Sequence, residues 1–398
     1  MVRILTAGES HGTVLVGILE GMPAGVPVNI EYINNQLRRR QQGYGRGGRM
    51  HIEHDRVEVL SGIRFGRTVG TPIALMLRNL DSPKWRDILS VEDDGSTVEK
   101  ITIPRPGHAD YAGSLKYRFD DVRNVIERAS ARETAVRVAC CTVARKFLEE
   151  LGIFIGSHVL RIGKAVVADR RSIDRLIRKH VSAASCAAYK VTEVADMSEV
   201  RMLDKTAQAR AIQAIRKAKK EGDTLGGIFE VIVTGVPVGL GSHVQADRRL
   251  DGRLAQVLMS IPAVKGVEIG DGFESAGKPG SQVHDAFVVR AGRIGRSTNR
   301  AGGLEGGITN GQTIVLRGAM KPISTLAHPL ASVDLSTGKP VRARYERSDV
   351  CAVPACSVIA EAVIAPVLAD AVLEKFGGDS MEEVLEHYGR RSGKLPES

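Results

Sequence analysis

The sequence predicts an α+β protein, and three observations predict it. Short stretches of strand character at residues 1–7, 17–20, 56–78, 152–167 and 228–234 are separated by glycine and proline turns. Between and after them lie long helical runs, an Ala- and Val-rich one over 131–151 and a last one that stops at Gly377-Gly378. Finally, Gly227-Ile228-Phe229-Glu230 followed by Gly235-Val236-Pro237-Val238-Gly239 echoes Gly17-Ile18-Leu19-Glu20 followed by Gly21-Met22-Pro23-Ala24-Gly25. A helix follows each copy, so two related halves packed about a pseudo-twofold axis are expected.

With 398 residues the chain is long enough to bury a large core. A formal charge of +10 implies an anionic partner. Aromatic residues are scarce, with Trp85 the only tryptophan, which disfavours the stacking platforms of single-strand nucleic-acid binders. Cys140, Cys141, Cys186, Cys351 and Cys356 show no metal-ligand spacing, and fit a reducing, cytoplasmic setting. Residues 1–7 read as a strand rather than a signal peptide, and the apolar stretch 350–373 is interrupted by Glu361, Pro366 and Asp370, so no membrane association is expected.

In chain order, the first strand leads into Gly8-Glu9-Ser10-His11-Gly12, where glycines let a ligand approach a histidine, a serine and a carboxylate. Residues 30–42 read as a helix ending in Arg38, Arg39 and Arg40, and run into Gly43-Tyr44-Gly45-Arg46-Gly47-Gly48-Arg49. Guanidinium forks between glycines can wrap a phosphate. The same pattern occurs in RNA-binding Arg-Gly tails, but here it is short and sits between a helix and a β-rich region. Residues 79–100 are polar and irregular, a candidate cover.

Residues 103–134 gather the most chemistry. Pro104-Arg105-Pro106-Gly107-His108-Ala109-Asp110 puts His108 at the tip of a stiff loop. Arg128-Ala129-Ser130-Ala131-Arg132-Glu133-Thr134 reads as a capping box, Ser130 with Glu133, starting a helix near Ala131, where two arginines and the helix N-terminus suit an anion. Residues 168–198 read as a solvated insertion, and 202–221 as an amphipathic helix with lysines at its C-terminal end. A further helix spans 251–260. The glycine-rich segment 299–311 reads as a loop against a ligand, and Lys321-Pro322-Ile323-Ser324-Thr325 offers a cation and two hydroxyls to another phosphate. Arg347-Ser348-Asp349 precedes the last long helix, where Asp349 could serve as its N-cap.

Taken together, residues 8–12, 43–49, 105–110, 128–134, 266–272, 299–311, 321–325 and 347–354 resemble, in order, the chorismate synthase family. The resemblance implies a β-α-β sandwich with long central helices between two antiparallel sheets, formed by a single catalytic domain over residues 1–378 (168–198 a surface insertion) with a C-terminal tail at 379–398. It implies a homotetramer acting on 5-enolpyruvylshikimate 3-phosphate, releasing phosphate by anti 1,4-elimination with reduced FMN and no net redox change. His11 would protonate the leaving phosphate, His108 would interact with the flavin, Asp349 would assist hydrogen loss through the central flavin nitrogen, and Ser10 would support the network. The implied FMN contacts are Arg128, Ala129, Ser130, Pro262, Ala263, Gly306, Lys321, Pro322, Ile323, Ser324, Thr325 and Arg347. Pro262 stands where some relatives carry a polar side chain. Arg40 and Arg46 match positions for NADPH phosphates, and are equally plausible substrate ligands beside Arg49, Arg105 and Arg132. No reductase-like segment is visible, which leaves the source of reduced FMN open. Two rival classes stand beside this one: a basic nucleic-acid binder, and an oxidoreductase that turns over NADPH.

Overall fold

The chain, described by a computed structural model over residues 1–48, 52–92, 94–167, 187–290, 292–346 and 348–391, is mixed helix and sheet, at 36% helix and 22% strand. The principal elements are β1 (Arg3–Ala7), β2 (Val14–Glu20), α1 (Ile30–Gln41), β3 (Val57–Val59), β4 (Ile73–Arg78), α2 (Asp110–Tyr117), α3 (Arg123–Ala129), α4 (Thr134–Glu150), β5 (Phe154–Ile162) and β6 (Ala165–Val166). There follow α5 (Ala187–Asp196), α6 (Lys205–Lys220), β7 (Gly227–Thr234), α7 (Leu250–Met259), β8 (Val264–Ile269), β9 (Ile314–Met320), α8 (Val353–Phe376) and α9 (Met381–Arg391). One antiparallel sheet has the order β1-β2-β4-β3, and the other β8-β9-β7-β5-β6.

The two sheets share a connectivity. β1-β2-α1-β3-β4-α4 in the first half corresponds to β5-β7-α7-β8-β9-α8 in the second, and the strands sit in matching order in their sheets. The echoed sequences occupy matching places, since β2 and β7 are the strands that continue into the Gly-x-Pro-x-Gly turns.

Each half's closing helix covers its own sheet. α4 packs on β2 and β4, α8 on β5 and β7, and the two helices pack on each other with α1 beside both. Gly17 is what lets α4 reach β2, because a Cβ there would lie 2.5 Å from Cys140 Sγ and 2.8 Å from Val136 Cγ2. α8 is apolar on every side, as its position between sheet and helices demands. It is long and apolar enough to cross a membrane, yet 78% of its apolar window is buried against the protein, so it serves as a core helix.

One charged cluster crosses this apolar interior. Glu361 of α8, fully buried, accepts from Arg39 of α1 at 2.8 and 3.0 Å, Arg145 of α4 at 2.7 Å, Arg201 at 3.0 Å and Ser157 of β5 at 2.6 Å. Burial would raise the Glu361 carboxyl, but the three guanidiniums overcome it and hold it far below the usual range. Burial, with Arg39 next to it, brings Arg201 down to about 9. Asp196 at the end of α5 adds a second carboxylate, 2.7 Å from Arg39 and bonded to Arg201.

Three expectations change. Residues 168–186 lie outside the described residues, but α5 is no solvated insertion: Ala188 and Val191 pack against Ile232 and Val315 on the second sheet. The expected tail is a docked helix as far as Arg391, with Val384 fully buried and Tyr388 edge-on to Phe376 at 4.9 Å. Half of the expected capping box exists. Ser130 Oγ accepts the Arg132 N–H at 3.3 Å, and Glu133 instead bridges to Arg137 at 3.5 Å. The chain therefore makes one 3-10 turn, Ala131–Glu133, before α4 begins at Thr134.

Candidate active site

The β1–β2 corner is pinned from two sides. Asn79 donates to the carbonyls of Glu9 at 3.2 Å and Gly12 at 2.6 Å, while the Ser10 N–H donates to the Glu127 carbonyl at 3.0 Å. The Ser10 and Ser130 hydroxyls are 3.0 Å apart. His11 lies between a carboxylate and an indole: Nδ1 is 2.9 Å from Glu127 Oε1, and the ring stacks on Trp85 with centroids 4.1 Å apart. Trp85 arrives on the 3-10 turn Ser82–Trp85, so the irregular 79–100 segment does cover this corner.

The second histidine has a matching partner. His108 Nδ1 bonds Asp110 Oδ1, and Arg105 grips the same carboxylate through Nε at 2.8 Å and Nη2 at 3.1 Å. Arg105 Nη1 also reaches Thr325 Oγ1 at 3.2 Å. The Asp110 carboxyl lies far below its usual range, because the bonds from His108 and Arg105 outweigh the opposing effect of burial. Lys321 Nζ donates to the Gly107 carbonyl at 2.5 Å, tying the histidine loop to the end of β9. Burial, and then the charge of Lys265, lowers the Lys321 amine.

Three arginines crowd one wall. Asp55 takes Arg40 at 2.6 Å on one oxygen and Arg132 at 2.5 Å on the other, while Arg46 pairs with Asp349 at 2.8 Å. The Arg40 pKa is pressed down by burial, with Arg132 and Arg46 adding to this against Asp55. Arg40 Nε is buried without a hydrogen-bond partner among the described residues, while Arg132 Nη2 has the buried Glu53 carboxylate at 3.6 Å. Such a cluster calls for an anion, since a buried donor left unpaired costs about 1–3 kcal/mol. Asp349 is not a helix cap: it accepts the Gly47 N–H at 2.6 Å, and the helix N-cap Ala352 has no side-chain bond. Gly47 permits this, because a Cβ there would meet the Ser348 carbonyl oxygen at 2.8 Å.

These groups line one cavity of about 490 Å³. Ser10, His11, His108, Asp349, Arg40, Arg46, Arg105 and Arg132 face it, with Ala129, Ser130, Pro262, Ala263 and the whole 321–325 segment. Ile126, Ile261, Ile323, Ala352, Ala355 and Ile359 add apolar wall to the same cavity. Ala263 has a φ of 69°, a strained backbone for a non-glycine residue and one that sits at the site.

Two expected cofactor residues are not brought there. Arg128 turns back to the Thr6 and Gly8 carbonyls, each at 3.0 Å. Gly306 sits in the hairpin turn between Leu304–Glu305 and Ile308–Thr309, with His243 the nearest side chain to an added Cβ. The 299–311 loop bonds to itself rather than lining the cavity: Asn299 accepts the Gly303 N–H at 2.9 Å. Arg49 and Arg347 lie outside the described residues. Trp85, Asp81 and Glu127 were not singled out from sequence; the first two line the cavity and Glu127 stands behind His11.

A family model described as chorismate synthase matches residues 2–373. The chain belongs to the chorismate synthase family. Relatives named chorismate synthase include one from Chlorobium phaeovibrioides, 58% identical over 394 residues and covering 98% of both chains, and one from Chlorobaculum tepidum, 57% identical over 389 residues with 97% and 96% covered. A crystal structure titled as chorismate synthase superposes with a TM-score of 0.77 at 44% identity, covering 98% of this chain and 97% of that one. The protein is therefore an enzyme, a lyase of the shikimate pathway that serves aromatic amino acid biosynthesis.

Proposed function

We propose that this cavity binds 5-enolpyruvylshikimate 3-phosphate and reduced FMN together, and that the chain eliminates phosphate in the anti 1,4 sense to give chorismate without net redox change. The observation that carries this reading is the convergence of two carboxylate-bonded histidines with Arg40, Arg46, Arg105 and Arg132 around one cavity. A phosphate and two carboxylates on the substrate match those cations, each charge-assisted bond contributing roughly 1.5–3 kcal/mol.

The residues also fit FMN. The apolar wall suits a flat ring system, and Lys321, Ser324 and Thr325 would hold its phosphate, with Ala129, Ser130, Ala263, Pro322 and Ile323 alongside and Pro262 offering packing only. Reduced FMN, when bound, supplies electron density to the breaking carbon–oxygen bond. His11 delivers a proton to the departing phosphate oxygen. His108, held by Asp110, would help set the protonation of a bound flavin. Asp349, fixed by Arg46 and the Gly47 N–H, is the carboxylate on hand for the proton lost from the ring, with Ser10 bracing the His11 corner through Ser130. Arg40, 4% exposed and locked on Asp55, is assigned to substrate anions, with NADPH left as a reductant of the flavin. Arg49 and Arg347 are assigned by family resemblance alone.

The shared connectivity of the halves supports a β-α-β sandwich with pseudo-twofold symmetry, and a main core cluster drawn from both halves, from Leu15 to Val384, supports one catalytic domain. Leu5, Ile18 and Ala74, in register across three strands, leave an apolar sheet face consistent with a homotetramer. Cys140, Cys141, Cys351 and Cys356, buried as free thiols, suit the cytoplasm. The test is anaerobic incubation of protein, substrate and photoreduced FMN. Chorismate and phosphate in equal amounts, with only catalytic reductant, support the reading; reductant consumed in step with product points to an oxidoreductase, and no phosphate release rejects the reading.

A further inference from the structure

We propose that Glu127 is a positioning residue that fixes the proton of His11 on Nδ1, so that Nε2 is the nitrogen that trades protons with the cavity. This deepens the elimination reading and rests on it. Glu127 is 3% exposed and sits on α3, more than a hundred residues from His11 in sequence. Its two oxygens hold two donors of one residue: Oε2 accepts the His11 backbone N–H at 2.8 Å, and Oε1 meets Nδ1 at 2.9 Å. A carboxylate only accepts, so Nδ1 carries hydrogen in both the neutral and the charged ring. A charged ring then keeps Nε2–H as its deliverable proton, with the Glu127 charge steadying the imidazolium. Trp85, stacked on the ring, opposes the turn that would swing Nδ1 away from Glu127.

An amide cannot do both jobs. In Glu127→Gln, an oxygen kept on the backbone N–H leaves the NH2 facing Nδ1, which favours the opposite tautomer and opposes the doubly protonated ring. Steady-state turnover is measured for wild type, Glu127→Gln and Glu127→Asp. The expected result is a kcat roughly a hundredfold or more lower in Glu127→Gln at unchanged KM, with most of the loss recovered in Glu127→Asp, where the carboxylate survives. Wild-type kcat in Glu127→Gln overturns the proposal. So do equal losses in both variants with KM rising alongside, the signature of a merely structural role.

Nitrogen-15 shifts of the His11 ring supply a readout independent of turnover, because they report which ring nitrogen carries hydrogen. Hydrogen on Nδ1 in wild type and on Nε2 in Glu127→Gln is expected, and the same tautomer in both overturns the proposal. A wild type that makes no chorismate would sink the elimination reading while leaving the tautomer to judge Glu127.

Discussion

The imidazole of His11 and the indole of Trp85 lie nearly parallel, 25° apart in plane with centroids separated by 4.1 Å, and the Arg123 guanidinium sits 5.7 Å from the indole centroid. Such a contact is worth about 0.5–1.5 kcal/mol. If it is realised in the transition state, Trp85→Ala should lower kcat by up to roughly tenfold, and Trp85→Phe, which keeps a ring, should lose less. Steady-state kinetics of the two variants decide it: an alanine variant as fast as wild type would show that the ring only fills space.

Asp55 holds two site arginines with one carboxylate, 2.6 Å from Arg40 and 2.5 Å from Arg132. Asp55→Asn leaves two buried guanidiniums without their shared counter-charge, a loss of roughly 3–5 kcal/mol by analogy with other broken buried pairs. Urea unfolding measures that loss. An added anion that reaches the arginines should restore part of it, so inorganic phosphate is expected to stabilise the variant more than wild type. Equal stabilisation of both would place the phosphate elsewhere.

Acid should expose the same dependence on buried carboxylates. Asp55, Asp110 and Glu361 all titrate below their usual range in the folded protein, because their arginine and histidine partners overcome burial. A folded pKa below the unfolded one gives stability that is fully present above the unfolded value, about 4, and is lost as pH falls towards the folded value. These groups should therefore contribute in full, and leave the melting temperature flat, between pH 7 and 5, and make it fall steeply below about 4. Glu361→Gln should be destabilised by roughly 3–5 kcal/mol at neutral pH, and its loss of stability in acid should be shallower. A wild-type melting temperature unchanged down to pH 3 would contradict the assignment.

Much of this site was legible because its pieces are short, stiff and local. The Pro-Arg-Pro-Gly-His-Ala-Asp loop carries both His108 and its partner Asp110, so sequence and structure speak of the same few residues. The sheets were legible in outline too, since the echo at residues 17–25 and 227–239 falls on β2 and β7. What escaped was long-range or ambiguous. Glu127 meets His11, and Asp55 meets Arg132, only once the chain has folded, and no local pattern signals either pairing. The 299–311 glycines pointed to a ligand, but glycines also permit a loop to bond to itself, as Asn299 does with Gly303. The charges around residue 196 suggested solvent, yet Asp196 pairs with buried Arg39 and Arg201.

In the proposed mechanism two histidines from distant segments act on one substrate in one cavity. Anaerobic turnover and reduced-FMN binding, measured side by side in His11→Ala and His108→Ala, decide whether they do. Each variant should lose roughly a hundredfold or more in kcat while still binding FMN. Wild-type turnover in both would contradict it.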